Sequence, residues 1–318
     1  WGIRDRTHPG AMGPQGLMSV TPFNVMGTGL NWRDKDKGWW SNPYVNNNSF
    51  LTGFARVNLS GVGCPDLGSL LLMPTTGEVD VDYKEYGTTY KDEKASPGYY
   101  SVMLDKYNVK AEVSASLRVG TSRFTFPAGK SNILLNLGEG LTNETGAQLR
   151  KVNDREMEGM KLLGTFCYTA NQAVFPIYFV IRVNKTPEKS GYFKFHRPGY
   201  KWENDWNRDA GKYKIYTEYE KEIAGDDIGA YFTFNTNEDE QIEVQIGVSF
   251  VSIDNARANL NSEQPNFNFD AVHANARKLW NDDLSKIEVE GGTEDQKVVF
   301  YTALYHTLIH PNILQDVT

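Results

Sequence analysis

Apolar positions along the chain follow two regimes. From about residue 67 to 250 they recur with period two, and after 254 they recur at helical spacing. The clearest stretch is Val109, Ala111, Val113, Ala115, Leu117 and Val119, interleaved with Lys110, Glu112, Ser114, Ser116 and Arg118. That alternation predicts a strand with one buried and one wet face. Residues 67–73 form a short apolar run that Pro74 is expected to end. Ser96-Pro97-Gly98 predicts a turn into a strand over 99–104. Further strands are expected over 123–126, 133–137 and 228–234, and where Ile242, Val244, Ile246, Val248 and Phe250 alternate. Residues 174–183 are more continuously apolar, and Pro176 suggests an edge or a strand start. Residues 184–227 read as strands joined by a long loop. Many strands at hairpin-like spacing predict a two-sheet sandwich.

The helical regime has its own punctuation. Asp254 is expected to cap a short helix running to about Ser262. A longer helix after Asn268 or Asp270 carries Phe269, Val272, Ala276, Leu279, Trp280 and Leu284 near helical spacing. Thr293 with Gln296 is a capping-box pattern. Val298, Tyr301, Tyr305 and Leu308 then form an apolar stripe, and Pro311 ends the helix. The stripe has no match in the residues that follow, which points to further sequence or a partner surface.

Residues 1–66 are rich in Gly, Pro and Asn, as in His8-Pro9-Gly10-Ala11 and Asn46-Asn47-Asn48, and read as long loops with short strands. Phe23, Trp32, Trp39, Trp40, Tyr44, Phe50 and Phe54 in this stretch need somewhere to pack.

Composition narrows the function. With 33 Lys+Arg against 40 Asp+Glu, the net charge of −7 speaks against nucleic acid. Two cysteines make neither a disulfide framework nor a four-cysteine zinc site. No apolar run approaches the roughly 20 residues of a membrane helix. The chain opens at Trp1 without a signal-peptide pattern, as expected of a processed or trimmed start.

No phosphate-cradling loop, dinucleotide fingerprint or nucleophile elbow occurs. His306 and His310 stand four apart without an intervening Glu, which makes a poor zinc motif. Asn47, Asn58, Asn143 and Asn184 fit a glycosylation pattern that matters only in a eukaryotic secretory setting. Cys64 lies among Gly61, Gly63, Pro65 and Asp66, where backbone can approach a ligand, whereas Cys167 between Phe166 and Tyr168 reads as core. Trp39-Trp40 carries the most suggestive chemistry. Adjacent side chains of an extended segment point opposite ways, so one ring can pack inward while the other offers a flat face to a sugar.

At Asn58-Leu59-Ser60-Gly61-Val62-Gly63-Cys64-Pro65-Asp66-Leu67-Gly68, followed by Leu70 to Thr75, the chain resembles the N-terminal domain of glycoside hydrolase family 92. His8-Pro9-Gly10-Ala11, Glu93 to Tyr100 and Thr293 to Pro311 resemble three further family stretches in the same order. The resemblance implies a calcium-dependent exo-α-mannosidase with inverting chemistry. It implies a mainly β fold, with an N-terminal β-sandwich over 1–252, a helical linker over 253–292, and over 293–318 the first helix of an (α/α) toroid. The family's acid and base carboxylates and its calcium ligands are expected beyond Thr318. No catalytic or metal-ligating residue is therefore assigned, and this piece alone is expected to be inactive. Expected partners are a mannose-containing glycan and the chain's own C-terminal helical domain, in a periplasmic or secreted setting. Trp39, Trp40, Cys64 and Asp66 are the expected sugar-site contributors, with His8 and Asn58 beside them. The segment Phe54-Ala55-Arg56-Val57-Asn58 lacks the histidines that many members carry there, a departure that bears on linkage preference. The alternative reading is a non-catalytic carbohydrate-binding or scaffolding sandwich.

Overall fold

A computed structural model describes residues 7–25, 42–60, 67–141, 146–164, 174–199, 209–217, 221–310 and 313–317. Among them the strands form two antiparallel sheets. The first has eight strands in the order β1 (Ala11–Met12), β2 (Ser19–Phe23), β3 (Gly53–Asn58), β4 (Leu67–Thr76), β9 (Gly129–Asn136), β16 (Ile228–Thr236), β13 (Lys189–His196) and β14 (Lys212–Thr217). The second has nine: β15 (Glu222–Gly225), β10 (Ala147–Asn153), β11 (Glu156–Gly164), β12 (Val174–Val183), β17 (Glu240–Ser249), β8 (Val119–Phe126), β7 (Val109–Ala115), β6 (Tyr99–Leu104) and β5 (Tyr90–Ser96). A single helical turn, α1 (Tyr83–Tyr86), precedes β5.

One core joins the two sheets. Phe54, Leu72 and Phe232 of the first sheet share it with Tyr100, Val113, Phe124, Phe179 and Ile246 of the second. The ring of Phe54 lies 6.2 Å from Phe124 and 6.4 Å from Tyr100. The early residues belong to this body, since Ala11, Leu17, Met18 and Val20 are all fully buried in it.

Three helices follow: α2 (Ile253–Glu263), α3 (Phe269–Leu284) and α4 (Glu294–Leu308). The first two lie on the outer face of the nine-stranded sheet. Ala256 and Leu260 of α2 pack on Val119 and Val180. Phe269 of α3 lies under the Arg123 guanidinium at 4.4 Å, and His273 stacks on Tyr99 at 4.4 Å. Trp280 of α3 is buried with Met12 and Ile309, and its indole N–H donates to the Met12 carbonyl at 2.7 Å.

Three expectations change, and at Pro176 the strand-start alternative holds. The strand expected over 109–119 ends at Ala115, and a turn leads into β8. Its wet face is largely covered: Glu112 and Ser114 are buried because α3 lies above them. Pro74 does not end its strand, because β4 continues to Thr76. Pairing with β3 reaches only Leu72, so the missing N–H at Pro74 falls beyond that ladder. Strand β12 is internal, and Pro176 sits at its start, before pairing with β17 begins at Tyr178. The cap of α2 is Ser252, whose hydroxyl accepts from the Asn255 N–H at 3.0 Å, and Asp254 lies inside the first turn. At Thr293 the capping box is complete.

Candidate functional site

Along β2 the alternation of Ser-Val-Thr-Pro-Phe sends Val20 into the main core and Phe23 into a separate cluster with Val25, Val45, Ala55, Leu71 and Leu141. This second cluster marks the outer face of β2–β4. Thr21 pairs across from Ala55, on that same face.

Both described candidates bond to hydroxyls on that face, His8 to Thr21 and Asn58 to Ser19. His8 Nδ1 accepts the Gly10 N–H at 3.2 Å and lies 3.2 Å from the Thr21 hydroxyl. A neutral imidazole that accepts at Nδ1 carries its proton on Nε2. That Nε2 is buried without a partner, and burial pushes the ring's pKa down to about 4. Gly10 permits the approach, since a Cβ would stand 2.0 Å from Thr21 Oγ1.

Asn58 reaches the same face through an irregular strand. Phe54 and Arg56 point inward, so strict alternation would send Asn58 inward too. The register shifts between Phe54 and Arg56, and Val57 takes φ 55° and joins the core. A β-branched residue at positive φ is rare, and such strain recurs at functional sites. Asn58 is thereby turned to Ser19, whose hydroxyl accepts its backbone N–H at 2.8 Å and its Nδ2 at 3.1 Å. Its Oδ1 is buried without a partner. Gly68, at φ +61°, leaves room for it: a Cβ there would lie 3.1 Å from that oxygen.

Arg56 faces the opposite way. It is fully buried between the sheets, bonded to the Phe54 and Leu70 carbonyls and to Ser122 Oγ at 2.9 Å.

The structure brings His8 and Asn58 to one face of one strand. The other four predicted residues, Trp39, Trp40, Cys64 and Asp66, lie outside the described residues, as does Cys167. The flanks of the tryptophan segment are described and tightly tied. Asn24 Nδ2 donates to the Val45 carbonyl at 2.9 Å and to Tyr90 Oη at 2.9 Å, and its Oδ1 accepts the Val45 N–H at 2.8 Å. The hydroxyls of Tyr44 and Tyr100 converge on Glu93 Oε1 at 3.1 and 2.5 Å. Burial, reinforced by that carboxylate, pushes both phenols well above their usual range.

His8 also opens onto a cleft of about 600 Å³. His8, Pro9 and Pro97 wall it on the sandwich side, and Val298, Tyr301 and Tyr305 on the α4 side. The stripe expected on α4 thus forms one wall of a cleft, with the Tyr305 ring tilted against Trp280 at 4.6 Å. Among the described residues, no three His, Cys, Asp or Glu side chains are gathered as for a metal.

The fold and this face define a β-sandwich that shares its cleft with a helical region. Residues 4–249 match the model of the glycosyl hydrolase family 92 N-terminal domain, and residues 255–318 match that of the family 92 catalytic domain. The chain belongs to glycosyl hydrolase family 92. It is similar to a family GH92 α-mannosidase of Bacteroides thetaiotaomicron, with 28% identity and a TM-score of 0.81 over 98% of this chain and 40% of that one. The same enzyme in complex with mannoimidazole matches at 28% identity and TM-score 0.82, over 99% of this chain and 39% of that one. A protein of Arthroderma benhamiae described as an uncharacterized secreted glycosidase is 24% identical over 86% of this chain and 37% of its own length. The chain therefore spans 37–40% of the length of these relatives.

Proposed function

We propose that the chain is the N-terminal part of an exo-acting α-mannosidase that releases α-linked mannose with inversion, its sandwich supplying part of the sugar subsite. The observation that carries this reading is the pair of consecutive family matches, one to the N-terminal domain and one to the start of the catalytic domain. The mannoimidazole complex of a relative 28% identical supports mannose as the sugar. Two buried, unpartnered polar atoms near β2, His8 Nε2 and Asn58 Oδ1, suit hydroxyl recognition. The apolar cleft beside α4 suits further sequence of the same helical domain, an (α/α) toroid. Calcium support for the whole protein, with ligands outside this chain, belongs to the same proposal. So does a secreted or periplasmic setting, in line with the name of the fungal relative.

The test uses the full-length gene product on α-mannosides, with and without a calcium chelator. Hydrolysis that the chelator abolishes is expected. Trp39→Ala and Trp40→Ala should each lower kcat/KM about tenfold or more, as loss of a stacking face does. Saturable mannose binding without hydrolysis would favour a non-catalytic carbohydrate-binding module instead.

A further inference from the structure

We propose that Asp316 is a positioning residue for the cleft: it straps residues 313–317 to the sandwich and, through Gln15, fixes the loop that carries His8. The strap starts where α4 ends. The Gln15 N–H donates to the Leu308 carbonyl at 2.7 Å, and the Gln15 carbonyl accepts the Ile313 N–H at 3.1 Å. Arg118 Nε donates to the Gln315 carbonyl at 2.6 Å. Asp316 Oδ1 accepts Asn259 Nδ2 at 2.6 Å, and Oδ2 accepts Asn255 Nδ2 at 2.7 Å and the Ser249 hydroxyl at 2.9 Å.

The surroundings fix the polarity of each donor. Asn259 Nδ2 also donates to the Val248 carbonyl at 2.9 Å, while its Oδ1 accepts the Val317 N–H at 3.0 Å, so the amide cannot turn over. Ser249 Oγ accepts the Val251 N–H at 2.9 Å, which leaves its proton for Asp316. Asn255 Oδ1 faces the Ser252 hydroxyl at 3.1 Å, which leaves its Nδ2 for Asp316. Three donors converge, and only a group that accepts at both oxygens satisfies them.

The consequence reaches the cleft. One wall is α4, whose Leu308 carbonyl accepts the Gln15 N–H. The opposite wall is His8 and Pro9, on the loop that leads to Gln15. Gln15, bonded to both Leu308 and Ile313, is the link between the two walls and the segment that Asp316 holds. The kinetic arm of the test rests on the α-mannosidase reading, and the exchange arm does not.

In the full-length protein, Asp316→Asn should place an amide against donors. We expect kcat/KM on an α-mannoside to fall about ten- to a hundredfold, mainly through KM, as for a binding wall displaced by about an ångström. Amides of residues 313–317 should exchange about tenfold faster or more. The double variant Asn255→Asp with Asp316→Asn gives the new amide a carboxylate to donate to and should recover most of both losses. Asp282→Asn, which removes only an exposed pair with Lys278, should change neither. Unaltered exchange in Asp316→Asn overturns the strap. Faster exchange with unaltered kcat/KM overturns the positioning role. If the wild type hydrolyses no α-mannoside, the mannosidase reading falls and exchange alone judges the strap.

Discussion

The interior between the sheets and the seam between sandwich and helices are held in opposite ways. Inside, Phe54, Tyr100, Phe124 and Phe179 meet through non-directional burial, and Arg56 is an exception among apolar neighbours. At the seam, bonds have direction. Arg118 pairs with Glu263 at 2.7 Å, Arg123 bridges Glu112 at 3.1 Å and Asp270 at 2.9 Å, and Arg257 holds both Glu156 and Glu158. Burial alone keeps two sheets together but tolerates sliding and repacking. Polar groups with fixed partners choose one placement for each helix, and the cleft beside α4 needs one placement.

This contrast can be broken first in the interior. Phe124→Ala removes a fully buried ring that touches Phe54 and Phe126, and should cost about 3–5 kcal/mol of global stability in urea unfolding. A loss below about 1 kcal/mol would show that this core is loosely packed. The next effect comes from pH at the junction. Burial depresses the His8 pKa from 6.5 to about 4, so the unfolded chain binds the extra proton more readily between those values. The His8 contribution is whole above pH 6.5 and is lost as pH falls through the window, on the order of 3 kcal/mol by pH 4. Unfolding midpoints of wild type and His8→Asn should converge as the solution is acidified. Smaller again is Glu158→Ala. That carboxylate is buried, but its partners Arg150 and Arg257 reach solvent. The expected cost is about 1–2 kcal/mol by chemical denaturation.

How much of this could be read beforehand follows the range of each interaction. Period-two alternation foretold β17 and β7, because side-chain direction in a strand is local. It misplaced Glu112 and Ser114, whose cover is a helix beginning at Phe269. Thr293 with Gln296 was legible because a capping box closes within three residues. Asp254 displaced Ser252 as the expected cap because both residue types cap helices and stand two apart. At the candidate site, the family resemblance named His8 and Asn58, and the structure places both beside the outer face of β2. Ser19 and Thr21 were not legible, because their partners stand 39 and 13 residues away along the chain. The Asn24 bonds to Val45 and Tyr90 span 21 and 66 residues and left no mark in local pattern.

The smallest expected effect is the sharpest test of the contrast. In α4 the Thr293 hydroxyl accepts the Gln296 N–H at 3.2 Å, and the Gln296 side chain accepts the Thr293 N–H at 2.9 Å. Thr293→Ala removes one of these bonds and should cost about 1 kcal/mol. No residue of α4 is buried outright, and its anchor is Tyr305 against Trp280. The cost should therefore fall on the helix itself. Amides in the first turns of α4 should exchange several-fold faster, while the urea midpoint of the sandwich stays where it was. If the sandwich midpoint moves with the helix, the seam and the interior unfold as one cooperative unit, and the two modes of attachment are not separable.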